Sequence, residues 1–598
     1  MMIHDKAHTF HIPVMGIGYT IDSPLKVAHY GISSVISLVD DILMEKMRKF
    51  YCQQFKLPFT AITSRSKDHR ARRITAYLDL ISTVATSRFT ALLNSVSKDG
   101  MQVKKYMDML PASSDLKQGF YRMLNEGKHK KDVLEWVRKH LSMGDIDVNI
   151  MTKLDRETYH GHEQQPVEFN DAHAALRGFA KSKLRSSLVL SAGMNPKLYA
   201  YMEEFDDFYP RENGSLQKKI TLKVSDYRSA LIQGAYLAKK GLWVSEYRVE
   251  SGLNCGGHAF ATDGYLLGPI LEEFKQKRST LIRSTHDVLV QGLKAKKRYY
   301  PQAPMEVKIS AQGGVGTAEE HQFMLEHYHL NSVGWGSPFL LVPEVVNVDP
   351  QTQQLLKSAR EEELLLSNTS PLGVLFNTLK GNTKDKEKAM RISKGKPGSP
   401  CPKKFASNNR EFTSNSICTA SRQYQRLKIA ELEEKKLPPE EYREAYEQIT
   451  SKSCICVGLG TSTLLLNGLD TTKEGDGVSI CPGPNLAYFS ETISLQKMVD
   501  HIYGRTNVLK RKDRPNMFIK EIRLYVDYFK NQLKSTKPLQ DRQMKYLEKF
   551  HKNLIEGIHY YKDLFSTVAI KPAGIKADLL YDLQALEQEL DNLFLVKV

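Results

Sequence analysis

Gly241-Leu-Trp-Val-Ser-Glu-Tyr-Arg-Val249 runs directly into Glu250-Ser-Gly-Leu-Asn-Cys-Gly-Gly-His258, and the reading of this junction decides the fold. The first half clusters β-branched and aromatic residues, which is the composition of a strand. Two adjacent glycines then permit a tight turn and a close approach of backbone to ligand that a side chain would block. An imidazole follows, the side chain that titrates nearest neutral pH unaided. Helical sequence begins at Leu266. Strand, glycine turn, histidine and helix in that order are how an α/β protein presents a reactive group at the carboxyl end of a strand. The same residues also read as a plain glycine turn with an incidental histidine, so the neighbouring segments have to decide.

Upstream, His11 to Tyr19 is an apolar run ending in glycines, with Gly18 in a ligand-facing loop, and Gly31 to Val39 is a second apolar strand. Residues 41–140 are mostly helix-forming and read as an insertion after that second strand. Strands resume at Asp145–Thr152, Ser186–Ala192 and Lys219–Ser225, and the Trp243 strand is the sixth. Met305–Ala311 and Ser332–Gly336 complete eight, with helices at 226–240, 266–297 and 318–327 between the later ones. Eight alternating strands and helices predict a (β/α)8 TIM barrel over residues 1–349 rather than an open doubly wound sheet. Beyond it, residues 350–598 read as a mainly helical C-terminal region, with helical sequence at 351–366 and a basic, Gly/Pro-containing linker at about 384–409.

The chain has 598 residues, with 85 Lys+Arg against 68 Asp+Glu, a net charge of +17. The excess is diffuse and accompanies no zinc-finger, RNP or zipper signature. It therefore suits an anionic small molecule, cofactor or acyl carrier rather than nucleic acid. No segment approaches the length of a membrane span, and the N-terminus lacks the apolar core of a signal peptide, so a cytoplasmic protein is expected. Seven cysteines argue against a disulfide framework. Five lie in the C-terminal region: Cys401, Cys418, Cys454, Cys456 and Cys481. Their number and Cys-Pro contexts suit an iron–sulfur cluster or zinc, whereas the lack of a C-x2-C spacing suits ordinary buried thiols.

In a barrel of this type the loops after strands seven and eight commonly hold a phosphate. Here they are Ala311-Gln-Gly-Gly-Val-Gly316 and Gly334-Trp-Gly-Ser-Pro338. Glycines expose backbone N–H groups, and a following helix adds a favourable field for an anion.

Taken together, these motifs resemble the nitronate monooxygenases (formerly 2-nitropropane dioxygenases) and the related FMN-type enoyl-ACP reductases. Gly252–His258 is similar to the family's G-x-E-A-G-G-H, Ala311–Val315 to A-x-G-G-I, Gly336–Phe339 to G-T-R-F, and Asp147-Val-Asn149-Ile to G-V-N-L. The resemblance covers most of residues 10–346 apart from the insertion. It implies that FMN is bound, with Gly313, Gly314, Gly336 and Ser337 at its phosphate, Asn149 near the ring, Gly256 and Gly257 lining the site, and His258 as the catalytic residue. Lys223, at the end of strand five, is a candidate cation for the ring edge on chemical grounds. Asn254 and Cys255 replace the family's Glu and Ala, and Pro338 replaces its Arg. These departures bear on the substrate more than on the flavin. The implied reaction is oxidation of a small anionic nitronate. Its alternative is reduction of an enoyl thioester with NAD(P)H as donor, for which an acyl carrier or partner subunit would deliver the substrate. A flavin-free barrel serving as a binding or assembly module is the reading from another class.

Overall fold

A computed structural model describes residues 6–598 except 162, 192, 251, 253, 255, 260–262, 534–540, 568–572 and 596–598. Cys255 thus lies outside the described residues. Eight strands close into a barrel in the order one, eight, seven, six, five, four, three, two. They are Phe10–Ile12, Ser33–Ser37, Ile146–Met151, Ser187–Ser191, Lys219–Val224, Val244–Glu250, Lys308–Gln312 and Ser332–Gly334, and every pairing around the ring is parallel. The predicted (β/α)8 barrel is what the chain forms, and each strand begins and ends within three residues of its expected place except the first, which is shorter.

The later strands alternate strictly. In Lys219-Ile-Thr-Leu-Lys-Val224 and Glu246-Tyr-Arg-Val-Glu250 every second residue is polar, and successive side chains of a strand point to opposite faces. The apolar set, including Leu222, Tyr247 and Val249, packs outward into the core shared with the helices. The polar set fills the barrel interior. Glu246 and Arg248 meet at 2.9 Å, Asp147 lies 3.8 Å from Arg248, and His11 bonds Ser332 at 3.1 Å. Burial pushes the Glu246 carboxyl up, but the Arg248 guanidinium and Lys6 outweigh it and hold it down at about 2.

Helices fill residues 41–140 as expected: Asp41–Gln54, His69–Asn94, Met101–Met109, Asp115–Asn125 and Lys130–His140. Asp41 ties the first two together by accepting from Arg70 at 2.6 Å and Arg73 at 2.8 Å.

The C-terminal region is mainly helical, with three departures from expectation. Helix Pro350–Ser358 stops short, and Leu364–Ser367 pairs antiparallel with Phe376–Leu379 as a hairpin. The basic stretch opens with a helix, Thr383–Ser393, capped by the Asn382 side chain on the Asp385 N–H. A further helix, Ile455–Leu466, went unseen in the sequence because nine of its twelve residues are buried and it carries no polar face. No single described helix is long and apolar enough to cross a membrane, and the one bent pair that passes such a test jointly ends in this buried helix.

Candidate active site

At the carboxyl end of the barrel strands lies a cavity of about 390 Å³, within the range of small-molecule sites. Its floor is the last inward-facing polar layer. Lys223 and Glu250 pair at 2.5 Å, and the Gln312 carboxamide N–H donates to Glu250 at 2.7 Å. Asn149 and Gln312 are buried, and the carboxamide oxygen of each has no hydrogen-bond partner. A buried polar atom left without a partner costs on the order of 1–3 kcal/mol. Two such atoms on one floor mark a place where a polar ligand edge is expected.

The wall is the histidine turn, and the C-terminal region shapes it from three sides. The Gly252 N–H donates to the Tyr525 hydroxyl at 3.1 Å. Gly256 sits at φ +116°, where a Cβ would lie 2.0 Å from the Cys481 carbonyl oxygen. Gly257, at φ +80°, has open space where its Cβ would be and lines the cavity. The hairpin 364–379 straps the turn, with Asn377 N–H donating to the Gly257 carbonyl at 2.8 Å and Ala259 N–H to the Leu375 carbonyl at 2.9 Å.

Asn254 stands where the resembled family carries Glu, and its surroundings account for the change. Its carboxamide oxygen accepts from the Gly256 N–H at 3.0 Å and from the Asn377 side chain at 3.0 Å. Its N–H donates to the His258 carbonyl at 2.6 Å. The group both donates and accepts, which an ionised carboxylate cannot do.

His258 lines the cavity with its Nε2 2.7 Å from the Ser370 hydroxyl and its ring edge-on to Phe376 at 4.9 Å. Burial, with Lys153 adding repulsion, lowers its pKa to about 4, so the ring is neutral at neutral pH. The Leu372 N–H donates to the same Ser370 oxygen at 3.2 Å. The hydroxyl hydrogen can then point to Nε2, the arrangement in which the ring proton sits on Nδ1.

The roof comes wholly from the C-terminal region and is apolar: Leu372, Phe376, Ile455, Leu459 and Ile480 face the cavity, with Cys456 among them. Sequence reasoning had singled out Cys456 only as a candidate metal ligand and missed the other roof residues, and Ser370 with them.

The expected site residues therefore divide. Asn149, Lys223, Gly256, Gly257 and His258 come together on the cavity. Gly18 does not line it. A Cβ there would lie 2.5 Å from the Thr463 hydroxyl, and the Gly18 N–H donates to the Leu459 carbonyl at 2.9 Å. Its smallness serves the packing of the roof helix. Gly313 and Gly314 have positive φ, +111° and +80°, and lie beyond the cavity lining with Gly336 and Ser337. This rim is covered: Ser337 Oγ accepts from the Gly483 N–H at 2.7 Å, and Arg514 donates to the Gly314 carbonyl at 2.9 Å and to Glu320 at 2.8 Å. Among the thiols, Cys401, Cys418, Cys454 and Cys456 are close enough to influence one another's ionisation, whereas Cys481 lies on the cavity wall. Among the described residues no group of three or more potential ligands is arranged to hold a metal ion.

No family model matches the chain, and no curated protein matches it significantly. Among solved structures, the enoyl reductase domain of MlnA from the macrolactin biosynthesis cluster of Bacillus amyloliquefaciens is similar, with a TM-score of 0.31 and 13% identity over 72% of this chain and 87% of that one. A likeness of that degree carries no argument, and the reading rests on the cavity.

Proposed function

We propose that the protein is an FMN-dependent oxidoreductase that reduces an α,β-unsaturated acyl thioester. The observation that carries the reading is the cavity at the carboxyl end of the closed barrel, where unpartnered Asn149 and Gln312 oxygens, the Lys223–Glu250 pair and a neutral His258 converge. FMN fits the donor set. The Asn149 and Gln312 oxygens suit the N–H edge of the ring, and the Lys223 ammonium its carbonyl edge. The phosphate-type loops at Gly313, Gly314, Gly336 and Ser337 are covered here by Gly483 and by Arg514, which pairs with Glu320, so the fit of FMN rests on the ring-facing groups. Bound there, the flavin supplies hydride transfer, with a nicotinamide as donor.

The protein's own part is position and polarisation. His258, fixed by Ser370, offers Nδ1–H to the thioester carbonyl and so draws electron density from the β-carbon. A neutral donor suffices for this and does not lose a proton to the substrate. The roof holds the acyl chain and keeps water out. That apolar roof favours a thioester over the small nitronate of the resembled monooxygenases.

Purified protein should show a visible flavin band that bleaches anaerobically with NADPH and recovers on adding a crotonyl thioester. Bleaching by a nitronate alone would select the monooxygenase reading. A colourless protein that neither binds FMN nor turns over either substrate would leave the barrel as a binding module. His258→Ala should lower thioester turnover about 10²–10⁴-fold while FMN stays bound, as expected for loss of a positioned proton or hydrogen-bond donor.

A further inference from the structure

The thiols that the flavin reading leaves unused are organised. Cys401 and Cys454 lie close enough to act on each other's ionisation, although they come from a loop and from the N-cap of helix Ile455–Leu466. Ser399, two residues before Cys401, shares a small cleft with Cys454. Cys401 is partly exposed and Cys454 is buried, and both are free. The turn Cys401-Pro-Lys-Lys404 wraps the first sulfur: Lys404 sits at φ +57°, its N–H donates to Cys401 Sγ at 3.3 Å, and the Lys403 N–H contributes as well. Successive N–H groups aimed at one atom form an anion-stabilising nest. A small cleft beside Cys454 is lined by Lys384, Lys388, Arg391 and Lys452 against Glu387, so the surroundings are cationic. An accessible sulfur in a nest, a buried sulfur near it and a cationic border are the environment of a redox-active thiol pair rather than of inert core cysteines.

We propose that Cys401 and Cys454 form a reversible disulfide when the protein meets a hydroperoxide, independently of any flavin. The Cys401 thiolate attacks the distal peroxide oxygen, the O–O bond breaks, and the alkoxide or hydroxide leaves with a proton from solvent. The Cys454 sulfur then displaces water from the resulting sulfenic acid. Two thiols and one hydroperoxide thus give one disulfide, one alcohol (water, if the oxidant is hydrogen peroxide) and one water. The asymmetry of the pair assigns the roles. Cys401 is the partly exposed sulfur and Cys454 the buried one. The neighbouring Cys454 and the backbone N–H groups, working against burial, bring the Cys401 thiol down to about 6, while Cys401 and burial push Cys454 up. Cys401 is the attacking sulfur and Cys454 the resolving one. The bond would tie the 399–409 turn to the helix whose next residues, Ile455, Cys456 and Leu459, line the cavity roof.

The test uses full-length protein and hydrogen peroxide at low excess, followed by alkylation and peptide mass spectrometry without reductant. The expected product is a linked pair of peptides containing Cys401 and Cys454, lighter by two hydrogens and restored by dithiothreitol. Cys401→Ser should abolish the link and leave Cys454 unmodified, whereas Cys454→Ser should leave Cys401 as a trappable sulfenic acid. Because the buried Cys454 variant could fail to fold, the rate of Cys401 alkylation against pH in the unmodified protein gives a second measure. A midpoint near 6 supports the assignment. No link, a link through Cys418 or Cys456 instead, or a Cys401 alkylation midpoint near that of a free thiol would overturn it.

Discussion

Two walls of one cavity are built on opposite rules. The floor is strand six and its neighbours, where Glu246, Arg248 and Glu250 alternate with Tyr247 and Val249, and polar groups bond one another inside the barrel. The roof is helix Ile455–Leu466, where the backbone satisfies itself and nearly every side chain is buried. Its hydroxyls turn to acceptors: Ser462 donates to Asp349 at 2.8 Å and Thr463 to the Gly18 carbonyl at 2.9 Å. The floor is specific because each of its groups demands a matched partner, so it can orient a polar ring. The roof is tolerant because apolar contact has no direction, so it can hold chains of differing length. A site with both suits a reaction in which the polarised end is fixed and the tail varies.

The largest effect should follow from breaking the floor. Arg248 is buried with Glu246 and Asp147 around it, and Arg248→Ala would leave the two carboxyl groups with only the charge of Lys6 to offset them. Removal of one partner from a buried pair costs about 3–5 kcal/mol. Denaturant unfolding should report that loss near neutral pH, with part of it recovered as falling pH protonates the carboxylates. A loss under about 1 kcal/mol would mean that the interior network is not what holds the barrel.

The roof should break more gently. Leu459→Ala deletes buried apolar volume at a loss of about 2–4 kcal/mol, less if the site collapses. Under the proposed function its kinetic signature is selective: KM for short-chain thioesters rises, while longer chains that fill the gap are affected less. An equal loss for every chain length would place the chain elsewhere.

The difference between the walls also explains what could be read from the sequence. The eight strands were legible because a repeated strand–helix rhythm needs only local patterns, and His258 was legible because its turn carries two glycines beside an imidazole. The alternation in Lys219–Val224 was equally visible, but its inward polar face follows only from barrel closure. The roof was illegible for a physical reason. A helix buried on all sides has no 3.6-residue polar period, and Ser370 lies 112 positions from the histidine it serves. Glycines misled at Gly18, since a residue chosen for close helix packing and one chosen for ligand contact look alike in a sequence.

The smallest effect tests the join between the two walls. Ser370 belongs to the C-terminal strap, yet its hydroxyl lies 2.7 Å from Nε2 of the histidine on the barrel-side turn. In the native protein the His258 pKa lies at about 4, below its ordinary value. A group lowered in this way destabilises the fold as pH falls from 6.5 toward 4, because the unfolded chain takes up the proton first. A hydroxyl donating to Nε2 favours the neutral ring, so Ser370→Ala should raise the His258 pKa. The hydrogen bond contributes about 0.5–1.5 kcal/mol, which corresponds to a rise of at most about one unit. Burial and Lys153 remain, so the value should stay below 6.5. Proton–nitrogen NMR of the ring, followed against pH, reads both the shift and the tautomer. A downward shift, or a ring proton found on Nε2 in the native protein, would reverse the direction of that hydrogen bond and withdraw Nδ1–H as the donor to substrate.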